Sequence, residues 1–226
     1  MLSSLLLVLS LCGTEPGFIS LFNGTDLQGW TGDTVGYRAQ GGELIVVPPG
    51  PSGSGPGHLY TSGTWNDFEL RFEFKLTPGA NNGLAIRAPG TGDPAYSGME
   101  VQILDNTHPQ YARLKAWQYH GSVYGIAPAR RGFLRPVGQW NDETVICDGH
   151  RITVILNGHV IVDVDLKRVA SDGPIDGKVH PGMLRPGGHI GFCGHGSAVA
   201  FRNIRIRPLE PSTAPTPPGR DAEAVR

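Results

Sequence analysis

From residue 68 to residue 76 the chain alternates without a break: Phe68, Leu70, Phe72, Phe74 and Leu76 are apolar, while Glu69, Arg71, Glu73 and Lys75 are charged. Period two of this strictness turns one face of a strand to a core and the other to water. A sheet covered on one face only meets that demand, and antiparallel sandwiches are built from such sheets. The pattern recurs in residues 43–47 after Gly41-Gly42, and in residues 151–156 and 159–165 on either side of Asn157-Gly158. Asn-Gly between alternating apolar runs is a strong hairpin signal. With 33 glycines and 19 prolines and no long apolar stripe of helical period, the chain reads as all-β, an antiparallel two-sheet sandwich. At 226 residues one such domain suffices. Gly-x-Trp-Asn-Asp occurs at residues 63–67 and 138–142, each time opening a strand, and is read as two equivalent sheet corners.

The two ends differ from the body. Residues 1–16 carry an apolar run of signal-peptide length, too short to cross a bilayer as a helix. Export is expected, to the periplasm, the medium or the cell envelope, although no basic residue precedes the run. Cys12 is open to lipidation, with Leu11 where a lipoprotein box would carry a small residue. Residues 17–207 are expected to form the sandwich, and residues 208–226, rich in proline, alanine and threonine, a disordered tail. Cys147 and Cys193 both lie in apolar strands, which fits either a disulfide of an exported domain or two buried thiols. Net charge is −1 with 17% charged residues, so nothing draws the chain to nucleic acid or an anionic membrane. A small neutral ligand fits better.

The chemistry is expected around residues 98–106. Met99, Val101 and Ile103 point one way, Glu100 and Gln102 the other. Period two would set Asp105 beside Ile103 in the core, so either the strand stops at Leu104 or a bulge re-aims Asp105 towards Glu100. In the preceding segment Leu84 and Ile86 face inward, which puts Gly83, Ala85 and Arg87 opposite and leaves room for a ligand above the small residues. Acceptors, an amide and a guanidinium together suit sugar hydroxyls or proton transfer. The long irregular stretch between Asn106 and Gln139 holds Trp117, His120 and Tyr124, of which Trp117 and His120 stand out because aromatics and histidines in a loop are hard to explain by core packing. No paired histidine spacing marks a zinc site; a divalent cation held by Glu100, Asp105 and His120 stays open.

An ordered series of motifs carries a family resemblance: residues 21–24 with Leu27 and Gly29-Trp30, residues 82–87, residues 98–106, Trp140-Asn141, residues 156–158, and Gly191 with residues 201–204. In these the chain resembles the 3-keto-disaccharide hydrolase family, which implies a concanavalin A-like jelly roll. It also implies cleavage of glycosides whose 3-hydroxyl has been oxidised to a ketone. The ketone acidifies the hydrogen on C2; a base removes it, the aglycone leaves C1, and water adds to the enone. On that chemistry Glu100 is the expected base and Asp105 a second acid/base or metal ligand. Arg87 or a cation would steady the enolate oxygen, His120 would protonate the leaving group, and Trp117 would stack on the sugar. Asn82, Gln102 and Tyr124 complete the expected substrate contacts. Two other readings compete: a carbohydrate-binding module without catalysis, and a structural or adhesion domain in which Glu100 is ordinary solvated surface.

Overall fold

The computed structural model describes residues 15–49 and 57–210. Most of the expected leader, Cys12 included, and most of the expected tail lie outside the described residues. Among those described, thirteen strands form: β1 (Ile19–Ser20), β2 (Trp30–Gly32), β3 (Tyr37–Gln40), β4 (Glu43–Val46), β5 (His58–Thr61), β6 (Phe68–Leu76), β7 (Asn81–Ala88), β8 (Met99–Leu104), β9 (Trp140–Asp148), β10 (Arg151–Leu156), β11 (His159–Asp165), β12 (His189–Cys193) and β13 (Val199–Pro208). Two short helices, α1 (Pro94–Ser97) and α2 (Leu166–Asp172), lie between strands. No helix among the described residues is long and apolar enough to cross a membrane.

The strands make two antiparallel sheets stacked as a jelly-roll sandwich. One runs β11-β10-β9-β6-β13-β4-β3 with β1 added beside β13; the other runs β2-β5-β12-β7-β8. The strictly alternating β6 lies in the middle of the larger sheet, between β9 and β13. Its Phe72 meets Phe192 of the smaller sheet edge-on at 6.0 Å, and Phe192 stacks on Phe201 at 3.8 Å. Aromatic pairs of this kind add about 0.5–1.5 kcal/mol beyond the area they bury, so this cluster rivets the two layers together. Because β6 and β9 are antiparallel, the corners at residues 63–67 and 138–142 sit at opposite ends of the pair. Positive φ at both central residues closes the Gly41-Gly42 and Asn157-Gly158 hairpins.

Three features of the smaller sheet position the site. First, β8 ends at Leu104, and Asp105 lies beyond it. Second, the pairing of β7 with β12 shifts register between His189 and Gly191, and Arg87 has φ 50°. The irregularity takes Arg87 off the face it would share with Gly83 and Ala85. Third, β8 is the last strand of its sheet, but its outer edge is occupied: Gln102 N–H donates to Ser122 O at 2.9 Å, Gly121 N–H to Gln102 O at 2.7 Å, and Tyr124 N–H to Glu100 O at 2.8 Å.

Cys147 and Cys193 are free and buried. Cys147 belongs to the core between the sheets, whereas Cys193 sits in a separate cluster with Tyr60, Ala85 and Ala88. The sheet separates the two thiols, which decides between the disulfide and the buried thiols left open by sequence.

Candidate active site

The register of β7 against β8 pairs Asn81 with Leu104, Gly83 with Gln102 and Ala85 with Glu100. Alternate residues of a strand share a face about 7 Å apart, so Glu100, Gln102 and Leu104 form a row. They line one side of a cleft of about 420 Å³, with Asn81 beside them. Gln102 Nε2 donates to Asn81 Oδ1 at 2.7 Å, which fixes the amide.

Glu100 is the acidic member of this row. It is only 6% exposed, and Oε1 is buried without a hydrogen-bond partner. The side chain lies flat over Gly83, where a β-carbon would stand 1.7 Å from Oε1 and 2.7 Å from Cγ. His195 Nε2 is 3.7 Å from Oε1, close enough for attraction and too far for a hydrogen bond. Two neighbours feel the carboxylate. Burial pushes the Cys193 thiol well up, and the charge of Glu100 pushes it further. Burial and then His195 lower the His58 imidazole, with Glu100 opposing them.

The far walls come from loops. Asp93 caps α1 by accepting from Ala95 N–H at 3.0 Å, and Tyr96 of the same helix reaches the cleft together with Lys178. Tyr111, Leu114, Gln118 and Tyr124 also line the cleft. Gln118 Nε2 donates to the Tyr124 hydroxyl at 3.2 Å. A buried carboxylate with a free oxygen, facing sugar-sized space, is the equipment of a general base.

A family model for the 3-keto-alpha-glucoside-1,2-lyase-like domain matches residues 17–207. The chain belongs to that family. A 3-keto-disaccharide hydrolase of Bacteroides thetaiotaomicron is 26% identical over 229 aligned positions, covering 86% of this chain and 79% of its own. The crystal structure of a Parabacteroides distasonis protein proposed as a glycosyl hydrolase superposes with a TM-score of 0.74 at 28% identity, covering 85% of this chain and 99% of that one. A second protein from the same organism, at TM-score 0.70 and 23% identity, covers 86% of this chain and 95% of its own and speaks to the fold alone.

Within this 3-keto-alpha-glucoside-1,2-lyase-like domain, the cleft gathers three of the residues singled out from sequence, Glu100, Gln102 and Tyr124. The other five lie elsewhere. Asn82 is fully buried and pairs with Ile103, on the core side of β7. Arg87, 1% exposed, is consumed at a corner of the sandwich, where it donates to the carbonyls of Asn66, Gly149 and Arg185 and pairs with Asp67 at 2.8 Å. Asp105 accepts from Gly79 N–H at 2.9 Å and from the N–H and hydroxyl of Thr107 at 2.9 and 2.6 Å. Those bonds tie a turn, so Asp105 is not the second carboxylate of the site.

His120 lies in the sandwich interior. Its Nδ1 accepts from Leu104 N–H at 3.3 Å and its ring is 5.0 Å from that of Phe74. Its Nε2 is 3.1 Å from Glu143 Oε2, yet the two lack the alignment of a hydrogen bond. Trp117 stands behind the cleft wall, edge-on to Tyr124 at 4.9 Å. Glu100, Asp105 and His120 therefore do not converge, and among the described residues no three His, Cys, Asp or Glu side chains do.

The cleft also holds residues that sequence reading passed over: Asn81, Asp93, Tyr96, Lys178 and His195. Asn81 had a signal, since period two from Gly83 reaches it and skips Asn82. The others arrive on loops whose approach nothing local announces.

Proposed function

We propose that this domain cleaves glycosides bearing a ketone at C3, with Glu100 as the base that removes the C2 proton. The observation that carries the reading is the buried carboxylate of Glu100 lining the cleft, with one oxygen, Oε1, that no protein group bonds. Family membership and the Bacteroides thetaiotaomicron relative support the substrate class.

Glu100 takes the proton from C2, the C1–O bond to the aglycone breaks, and C1=C2 forms. Protonated His195, 3.7 Å from Glu100 Oε1, supplies the proton to the departing oxygen. Water then adds across the enone: its hydroxyl goes to C1, Glu100 returns the proton to C2, and His195 takes up the remaining proton. No oxocarbenium ion forms, so one carboxylate is sufficient, whereas direct retaining hydrolysis would need two about 5–5.5 Å apart.

The test is incubation with 3-keto-trehalose or an aryl 3-keto-glucoside, alongside the unoxidised sugars. Release of aglycone from the keto substrates alone is expected, with Glu100→Gln slower by about 10²–10⁴-fold. Retained binding with no turnover by the unmodified protein would make it a carbohydrate-binding module instead.

A further inference from the structure

Taking a proton from C2 leaves negative charge on the C3 oxygen, which a group other than the base has to stabilise. Among the described residues, Lys178 is the one side chain lining the cleft that carries a permanent positive charge. Its Nζ donates to the Tyr96 hydroxyl at 2.9 Å and lies 5.3 Å from the centre of that ring. The phenol spends a lone pair on the ammonium and keeps its own O–H to donate. That is an oxyanion site in outline: a donor backed by a cation, across the cleft from a base.

The pair is held by an assembly outside the cleft. The Tyr96 ring lies against the His180 ring, 4.7 Å between centroids and tilted by 32°. His180 Nδ1 is 3.1 Å from Ala95 O, and Nε2 is 3.2 Å from both oxygens of Asp176. Both side chains of this His180–Asp176 pair are completely shielded from solvent. Gly125 seals them, since a β-carbon there would stand 2.6 Å from Asp176 Oδ2 and 2.7 Å from His180 Nε2. Asp176 N–H donates to Gly125 O at 3.1 Å, and the adjoining Tyr124 N–H donates to Glu100 O. The chain that fixes Tyr96 and Lys178 is thus the chain that fixes the base.

We propose that Tyr96 and Lys178 stabilise the enolate oxygen formed when Glu100 takes its proton, and that the buried Asp176–His180 pair is there to position them. The assignment rests on the keto-glycoside reading. In the first step the C2–H bond breaks, its electron pair forms C2=C3, and the carbonyl becomes an oxyanion that accepts from Tyr96 and Lys178. In the second the C3=O bond re-forms, C1=C2 forms and the C1–O bond breaks. Tyr96 and Lys178 end with the protons they began with.

The two steps separate on 1,5-anhydro-3-ketoglucitol, which has an acidic C2 hydrogen and no aglycone to lose. The full-length protein is incubated with it in heavy water and deuterium at C2 is followed by NMR. The unaltered protein catalyses exchange. Tyr96→Phe and Lys178→Met each slow it on the order of a hundredfold, while Lys178→Arg, which keeps charge and donors, retains most of it. His180→Ala loses about as much as Tyr96→Phe, and the double variant loses no more, because His180 acts through the Tyr96–Lys178 pair that Tyr96→Phe already breaks. Exchange by folded Tyr96→Phe and Lys178→Met within twofold of the unaltered protein overturns the assignment while leaving Glu100 in place. If the unaltered protein neither exchanges this ketone nor releases aglycone from 3-keto-glucosides, the reading of the whole site falls and the assignment with it.

Discussion

The carboxylate of Glu100 rests on the bare α-carbon of Gly83, and no other residue type fits beneath it, since a β-carbon at Gly83 would stand 1.7 Å from Oε1. Gly83→Ala is therefore expected to push the carboxylate out of its place without touching the core on the other side of β7. Turnover of 3-keto-glucosides should fall nearly as far as in Glu100→Gln, while the stability measured by urea unfolding changes by less than about 1 kcal/mol. A fully active Gly83→Ala variant would show that the position of Glu100 is not critical.

Asp105 gives the opposite outcome. Its three hydrogen bonds tie the turn at Gly79 to Thr107, so Asp105→Asn should cost about 1–3 kcal/mol of stability and leave turnover per folded molecule unchanged. Burial pushes the carboxyl up, but the bonds from Thr107 and Gly79 outweigh it and hold the pKa below the usual aspartate value. A depressed folded pKa places this stabilisation above about pH 4 and removes it as pH falls through the folded value. Urea unfolding of both proteins at pH 7 and in acid should show the gap between them closing in acid.

Arg87 satisfies three carbonyls and Asp67 at once. Arg87→Met takes this donor from the three carbonyls and the counter-ion from Asp67, and a loss of about 3 kcal/mol is expected, at the lower end for a buried pair because Asp67 keeps the Gly149 N–H bond and some contact with water. The urea midpoint should drop with the slope unchanged. Turnover by the fraction still folded should match the parent, which an enolate-binding arginine would not allow.

The two thiols should be silent in the folded protein. Burial pushes Cys147 up to about 12, and Cys193 well above the ordinary thiol range. Neither should react with iodoacetamide at pH 8 until denaturant is added, when both should react. Raised folded values also place this contribution to stability below the ordinary thiol pKa, about 8.5, and it is lost as pH climbs towards the folded values. Rapid labelling of either cysteine in the native protein would contradict the burial.

Period two carried most of what could be read in advance. It assigned the faces of β6 and β8 and so found Glu100 and Gln102, and the same count from Gly83 would have preferred Asn81 to Asn82. It also contains the reason Asp105 misses Glu100: five residues is an odd number, and only a bulge could reconcile them. A register shift did occur, but at Arg87, an arginine at positive φ that no glycine announced. His195, Lys178 and Tyr96 were invisible for a different reason. Each sits on a connection between strands, and its direction is set by contacts made only after the sheets have stacked, such as the His180 ring against Tyr96.

The segment that lies along β8 does two jobs with one set of hydrogen bonds. Ser122 O, Gly121 N–H and Tyr124 N–H cover the free edge of the smaller sheet, and the same backbone delivers Tyr124 to the cleft. An uncovered strand edge is a template for pairing with another molecule. Substitutions that loosen this segment to admit a bulkier aglycone would therefore invite aggregation along with new substrates. Tyr111 and Leu114 reach the cleft from outside that seam, so substitutions there can change what the cleft admits without opening the strand edge.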